Sequence, residues 1–377
     1  MVDVASPVER ALLVGAPRKG TKDARDVEEH LDELARLADT AGAKVVGRIV
    51  QVVAAPNPEF YVGRGKVQEV AARIADTGAT VIVFDEELSP RQGKHLEDEL
   101  KVRVMDRTEL ILDIFALRAR SREARMQVEL AQLEYLLPRL TRMWVHLSRI
   151  RGGIGLRGPG ETQLETDRRM IRHKIGALKE KLTEVTEHRG RVRDRTRERG
   201  VLRVALVGYT NAGKSSLLRA LTKASAHVED RLFATLDTQS RETMLNGRRI
   251  RFTDTVGFIR KLPHGLVASF RATLEEAQDA DVLVHVVDVS HPAWEEQLAV
   301  VERVISEAGL ERGTVLVLNK ADRLDETTCL DVVRSAESRS GAVVAVSATE
   351  GTGLEVLRER VLSGAAGPEG QPRRGIP

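Results

Sequence analysis

The sequence predicts an α/β protein in which two mostly parallel sheets are separated by a basic helical segment. Three observations carry that expectation. Short apolar runs of strand length alternate with apolar residues at helical spacing over residues 1–112, and the same alternation returns over 201–364. Between them, residues 113–200 drop the strand pattern and show two apolar series stepping by four and three, the spacing of a coiled-coil seam. The second alternating region opens on an apolar run followed by a glycine-rich string with the spacing of a phosphate-binding loop.

The chain's 377 residues leave room for two or three domains, each with its own core. Hydrophobic residues at 42% and charged residues at 31% fit a globular, water-soluble class. Cys329 is the single cysteine, which excludes a disulfide framework and a thiolate metal site. No basic flank precedes an apolar core at the N-terminus, so no signal peptide is expected. No apolar stretch has the length of a membrane span; Val282–Val289 is interrupted by His285 and Asp288. The expected compartment is the cytoplasm. Net charge is only +3, but residues 113–200 hold 21 Lys and Arg against 12 Asp and Glu, a balance of +9. The remainder holds 38 against 44, so the middle block is the part suited to a polyanionic partner.

In the first region, Ala11–Val14 is a strand run, and Val27, Leu31, Leu34, Leu37 and Ala38 share a helical face. Lys44–Ala54 is rich in Val and Ile, as a strand is. Val67, Val70, Ala71 and Ile74 mark a second helix, and Thr80–Phe84 a buried strand. Ser89-Pro90 is a helix start with Leu96 and Leu100 on the inner face, and Val102–Met105 is the last strand. Gly63-Arg64-Gly65-Lys66 precedes a helix but lacks the dinucleotide-binding fingerprint, so a plain tight turn is expected there.

In the middle region, one seam runs through Met126, Leu130, Leu133, Leu137, Leu140, Trp144 and Leu147, and another through Ile171, Ile175, Leu178, Leu182 and Val185. Pro138 should kink or interrupt the first helix. Residues 151–160 between the seams contain five glycines and two arginines. The expected arrangement is a long antiparallel helical hairpin with a basic, glycine-rich tip. Its backbone can approach an RNA closely while guanidinium groups bind phosphate or stack on bases. Alternating arginines from Arg189 to Arg199 either contact phosphate or form a solvated linker helix. The residues alone leave both readings open.

The third region is organised around Gly208-Tyr209-Thr210-Asn211-Ala212-Gly213-Lys214-Ser215, which follows the strand run Val204–Val207. Its glycines let the backbone turn its N–H groups onto phosphate oxygens, and the helix continuing through Ser216 starts with a positive dipole end. Lys214 can reach the β- and γ-phosphates, and the Ser215 hydroxyl can hold Mg²⁺. Arg249–Thr253 leads into Asp254-Thr255-Val256-Gly257, where the carboxylate can hold Mg²⁺ through water and the Gly257 N–H can sense a γ-phosphate. Strand runs Val282–Val287, Thr314–Leu318 and Val343–Val346 follow, the last two ending in Asn319-Lys320-Ala321-Asp322 and Ser347-Ala348. Residues 365–377, rich in Gly, Pro and Arg, are expected to be disordered.

The base is selected at Asp322, whose carboxylate can accept two hydrogen bonds from the guanine edge. Adenine would leave that charge unpaired. Asn319 can reach the opposite base edge or tie two loops together, Lys320 can lie along the ring, and the Ala348 N–H can meet the guanine oxygen. These motifs, in this order and each after a strand, make the substrate GTP. The residue after Gly257 is Phe258, which cannot orient a water as glutamine does there in Ras-like switches, so slow intrinsic turnover is expected.

With these motifs, the third region resembles a translation-factor-type GTPase, and the whole chain resembles the HflX family. The residues carrying the closer resemblance are Tyr61–Lys66, Asp106–Phe115, Gln127–Leu133, Gly152–Pro159 with Gly160–Asp167, and Phe233-Ala234-Thr235-Leu236-Asp237. The match runs from about residue 8 to 364. The resemblance implies a Mg²⁺-dependent GTPase, expected as a monomer. It implies binding to the 50S subunit, with 151–160 reaching 23S rRNA near the peptidyl-transferase centre, and GTP-driven dissociation of stalled or idle 70S ribosomes. The alternative is a GTP-controlled RNA-binding factor for ribosome assembly or silencing without splitting. The resemblance also makes Phe233–Asp237 switch I, with Thr235 as its magnesium ligand and, beside Lys214 and Gly257, a catalytic residue. Thr238 has the same chemistry three residues on, and Thr238-Gln239 stands where many relatives have Pro-Thr.

Overall fold

The computed structural model describes residues 8–140, 163–195, 200–222, 232–233, 235–236, 238–261, 277–310, 313–339 and 342–364. These fall into two compact units, one within Met1–Val185 and the other from Thr186 onward. The expected tip 151–160, the seam residues Trp144 and Leu147, switch I residues Ala234 and Asp237, and the tail 365–377 lie outside the described residues.

The first unit is built on four parallel strands in the order β2-β1-β3-β4: β1 Arg10–Gly15, β2 Lys44–Val50, β3 Val81–Phe84 and β4 Arg103–Asp106. A short turn of helix, α1 Lys22–Arg25, precedes α2 Val27–Thr40. On α2, Leu31, Leu34, Leu37 and Ala38 are fully buried, as their spacing predicts. Burial of each leucine contributes roughly 1.5–3 kcal/mol. α3 Arg64–Thr77 starts at Gly63, with Arg64 paired to Glu59 and Lys66 to Glu69. α4 Pro90–Leu100 begins with a capping box: the Ser89 hydroxyl accepts the Gln92 N–H while the Gln92 amide accepts the Ser89 N–H.

α5 Arg107–Arg118 runs directly on from β4, capped by the Asp106 carboxylate, and crosses residue 112 without a break. α6 Arg122–Leu136 packs against it and gives way at Pro138 to a turn of 3₁₀ helix, Leu137–Arg139. Proline removes a helical hydrogen bond and crowds the preceding turn. On α6 the deeply buried stripe is Ala124, Val128 and Ala131, whereas Met126, Leu130, Leu133 and Leu137 of the expected seam are only partly buried. Packing on α5 therefore selects a different face from the one the largest side chains mark. α7 Gln163–Arg195 keeps its seam as the least exposed stripe, with Leu178 buried. The Lys179–Glu134 ion pair at 2.8 Å and the Lys174–Glu129 pair tie it to α6.

The second unit carries a six-stranded sheet in the order β10-β9-β8-β5-β7-β6: β5 Leu202–Gly208, β6 Gln239–Leu245, β7 Arg248–Asp254, β8 Val282–Asp288, β9 Thr314–Asn319 and β10 Val343–Ala345. All pairs are parallel except β6 with β7. One face is covered by α8 Lys214–Thr222 and α11 Leu354–Gly364, through Leu217, Leu221, Leu357 and Val361. The other meets α9 Trp294–Glu307 and α10 Glu326–Glu337, through Leu298 and Ala336. The C-terminal ends of β5, β7, β8 and β9 open on one edge, where ligands of open α/β sheets bind.

Candidate nucleotide site

The loop Gly208–Ser215 leaves β5 in the centre of the sheet and feeds α8. Gly208 lies against Val286 of β8 so closely that a side chain there would overlap the Val286 carbonyl. The Lys214 ammonium folds back under the loop and donates to the Gly208 carbonyl at 3.1 Å and the Tyr209 carbonyl at 2.9 Å. Its burial pushes its pKa down to about 8, with partial opposition from the Asp254 carboxylate. Gly257 approaches from the end of β7: a Cβ there would sit 2.6 Å from Thr210 Cα and 2.9 Å from Lys214 Nζ. Only glycine allows that approach.

Three oxygens converge beside the loop. The Ser215 hydroxyl donates to Asp254 Oδ2 at 2.6 Å, Thr235 Oγ1 donates to the same atom at 3.0 Å, and the two hydroxyls lie 2.9 Å apart. Burial raises the Asp254 pKa, against the lowering pull of Lys214 and of its two hydroxyl donors. Among the described residues, Asp254 Oδ1 is buried without a hydrogen-bond partner. Thr238 is exposed and takes no part in this cluster among the described residues. Thr255 is turned inward, its hydroxyl donating to the Leu206 carbonyl at 2.6 Å, and Val256 is buried. Phe233 is buried with φ of 54°, and its N–H donates to the Thr210 hydroxyl at 3.0 Å.

The motifs expected to read the base meet the phosphate loop from the ends of β9 and β10. Asn319 donates through Nδ2 to the Ala212 carbonyl at 2.8 Å and accepts the Ala348 N–H at 3.2 Å. These two bonds form the loop tie that is one of the two expectations for Asn319. Lys320, in the left-handed conformation, donates to the Asn211 carbonyl at 3.0 Å and to Asp288 Oδ2 at 2.6 Å. Asp322 is exposed beside them, and Ser347 anchors its own turn by accepting the Glu350 N–H at 3.1 Å.

Models of three families match the chain in succession. One described as GTP-binding GTPase N-terminal covers residues 28–116, one described as GTP-binding GTPase Middle Region covers 118–196, and one described as 50S ribosome-binding GTPase covers 203–320. A GTPase HflX of Caldanaerobacter subterraneus subsp. tengcongensis is 48% identical over 363 residues, spanning 96% of this chain and 82% of the relative. The chain belongs to the HflX family of GTPases. A GTPase HflX of Escherichia coli is 42% identical, spanning 100% of this chain and 88% of the relative. The crystal structure of SsGBP in complex with GDP is similar in fold, with a TM-score of 0.54 and 28% identity over 95% of this chain and 99% of that one.

As an HflX GTPase, the chain hydrolyses GTP, and its third region is a domain of the ribosome-binding GTPase family. No helix of the described residues is long and apolar enough to cross a membrane. One residue that this HflX site brings in, Asp288, went unrecognised in the sequence. Asp288 holds Lys320, and its signal was a carboxylate at the end of a mostly apolar strand. Tyr209, expected in the loop from the sequence, makes a contact that a variable loop position does not signal: its phenol oxygen accepts the Arg260 N–H at 2.9 Å.

Proposed function

We propose that this HflX GTPase binds GTP with Mg²⁺, docks on the 50S subunit through its basic middle segment, and uses GTP to dissociate stalled or idle 70S ribosomes. The observation that carries the reading is the union, in one chain of this family, of a nucleotide site with a +9 block. The glycine-rich tip 151–160 is the part assigned to 23S rRNA near the peptidyl-transferase centre. Such a partner puts the work in the cytoplasm, partly on ribosomes. A monomer suffices for this scheme.

The cluster of Ser215, Thr235 and Asp254 fits a small hard cation, because every donor is an oxygen and the buried carboxylate retains an atom unpartnered among the described residues. Ser215 and Thr235 would hold Mg²⁺ directly and Asp254 through water. The ion supplies charge neutralisation on the phosphates. Residues 208–216 cradle the phosphates, with Lys214 providing the buried positive charge. Gly257 offers its N–H to the γ-phosphate, and Phe233–Asp237 serve as switch I. Asp322 reads the guanine donors, Lys320 flanks the ring, and Ser347 and Ala348 shape the pocket at the guanine oxygen. Lys214, Thr235 and Gly257 stabilise charge and position the transferring group, the main catalytic task in phosphoryl transfer.

Light scattering of 70S particles tests the proposal. GTP with the intact protein should lower the signal, whereas deletion of Gly152–Gly160 should abolish that effect and leave GTP affinity within about twofold. Ribosome binding that collapses steeply with salt belongs to the same expectation. Splitting by the deletion protein at the parent's rate would defeat the role of the tip. Binding of 70S without loss of scattering would leave an RNA-binding factor for assembly or silencing.

A further inference from the structure

Tyr209 is 3% exposed, although a variable position of a phosphate loop has no need to be buried. Its phenol oxygen accepts the N–H of Arg260 at 2.9 Å. Around that bond, the Thr210 N–H donates to the Phe258 carbonyl at 2.6 Å and the Phe258 N–H donates to the Gly208 carbonyl at 3.1 Å. The phosphate loop and the segment after Gly257 are thus joined by a parallel bridge at Tyr209 and Phe258. Arg260 extends further, its guanidinium lying 3.5 Å from Glu296 on α9. Gly257 is caught between this ladder and Lys214, at the close approach already described. Two of the ladder's bonds are backbone to backbone and survive any substitution that preserves the fold. The third depends on one side-chain oxygen.

We infer that Tyr209 is a positioning residue for GTP hydrolysis: its phenol oxygen pins the Arg260 N–H and thereby holds the Gly257 N–H where a γ-phosphate must meet it. The inference rests on the proposed role of Gly257. A phenylalanine at 209 fills the same space but leaves the part-buried Arg260 N–H without its acceptor, so the ladder loosens at its far end. GDP has no γ-phosphate and makes no use of Gly257. Loss of the phenol therefore separates the two nucleotides: hydrolysis and GTP preference suffer while GDP binding does not.

The experiment compares Tyr209→Phe with wild type in the full-length protein without ribosomes, which keeps it independent of any splitting activity. Single-turnover GTP hydrolysis should fall about 3- to 10-fold, the effect of one neutral hydrogen bond. GDP affinity should stay within about twofold, and the Arg260 amide should exchange its hydrogen faster in mass-spectrometric or NMR measurements. Wild-type hydrolysis with unchanged Arg260 exchange would overturn the inference. So would an equal loss of GDP and GTP affinity, which would mark Tyr209 as a support of the loop itself. A parallel Gly257→Ala protein keeps the two ideas apart. If it hydrolyses GTP normally, the role of Gly257 fails and the inference goes with it. If it is impaired while Tyr209→Phe is not, only the role of Tyr209 is lost.

Discussion

Replacing Gly213 with alanine should disconnect the phosphate loop from the base-reading loop while leaving the core intact. Gly213 has φ of 91°, and a Cβ there would overlap the Asn319 side-chain amide. Backbone strain at a left-handed position costs roughly 1–2 kcal/mol for a residue with a side chain. Displacing Asn319 breaks its bond to the Ala212 carbonyl and disturbs its bond from the Ala348 N–H, each worth about 0.5–1.5 kcal/mol. The loop follows the C-terminal end of β5, and of its side chains only that of Ala212 joins the sheet's main core cluster, so a shift there costs the core little. The penalty then falls on nucleotide binding, which needs the original loop. A total of about 2–5 kcal/mol corresponds to about 30- to 4,000-fold weaker binding. Titration of a fluorescent GDP analogue measures the loss, and a thermal melt confirms that the fold persists. A folded Gly213→Ala protein binding GDP within threefold of wild type would refute this account of the Asn319 tie.

Three further outcomes follow from the site. Asp322→Asn should lower GTP affinity by several kcal/mol, because an amide donor would face guanine's own donors, and xanthine, with a carbonyl at that edge, should recover binding; unchanged discrimination between GTP and XTP would remove Asp322 from base reading. His285 on β8 is buried, and desolvation together with the Lys214 charge pushes its pKa down to about 3. The unfolded chain takes up its proton near pH 6.5 and the folded chain does not, so stability is lost as pH falls from about 6.5 toward 3, by about 2 kcal/mol between pH 6.5 and 5. His285→Leu should flatten that slope in denaturant titrations, and parallel slopes for the two proteins would exclude His285 as the cause. Finally, Phe258 should leave free protein with slow single-turnover GTP hydrolysis that rises on adding 70S particles or 50S subunits; fast hydrolysis indifferent to ribosomes would contradict the water-positioning argument.

The strands and most helices were legible because each is written in a contiguous stretch. The runs Ala11–Val14, Thr80–Phe84 and Val282–Val287 became β1, β3 and β8 with shifts of at most one residue at an end. β6 was not legible: Gln239–Leu245 is almost wholly exposed and polar, so it lacks the apolar alternation of a half-buried strand. It exists as an edge strand on β7, and its one local sign is Asn246-Gly247, both at positive φ in the hairpin turn. On α6, the heptad spacing pointed to the stripe through Met126 and Leu130, but a neighbouring helix decides which stripe is buried. That neighbour is α5, and it selects Ala124, Val128 and Ala131.

By itself the sequence determined the phosphate loop, the acidic strand end at Asp254, the Asn319–Asp322 string and hence the nucleotide class. Each is a short local motif whose backbone and side-chain chemistry act within a few residues. Only the tertiary structure decided which side chains stand together. It brought Thr235, and not Thr238, to Ser215 and Asp254, and it turned Asn319 onto Ala212 across 107 positions of chain. It also set Lys320 between Asn211 and Asp288 and carried the Arg260 amide to the Tyr209 phenol across 51 positions. Sequence spacing has no bearing on such pairs. They depend on strand register at one edge of a sheet, which is set by the packing of buried β5, β7, β8 and β9 rather than by the residues that meet there.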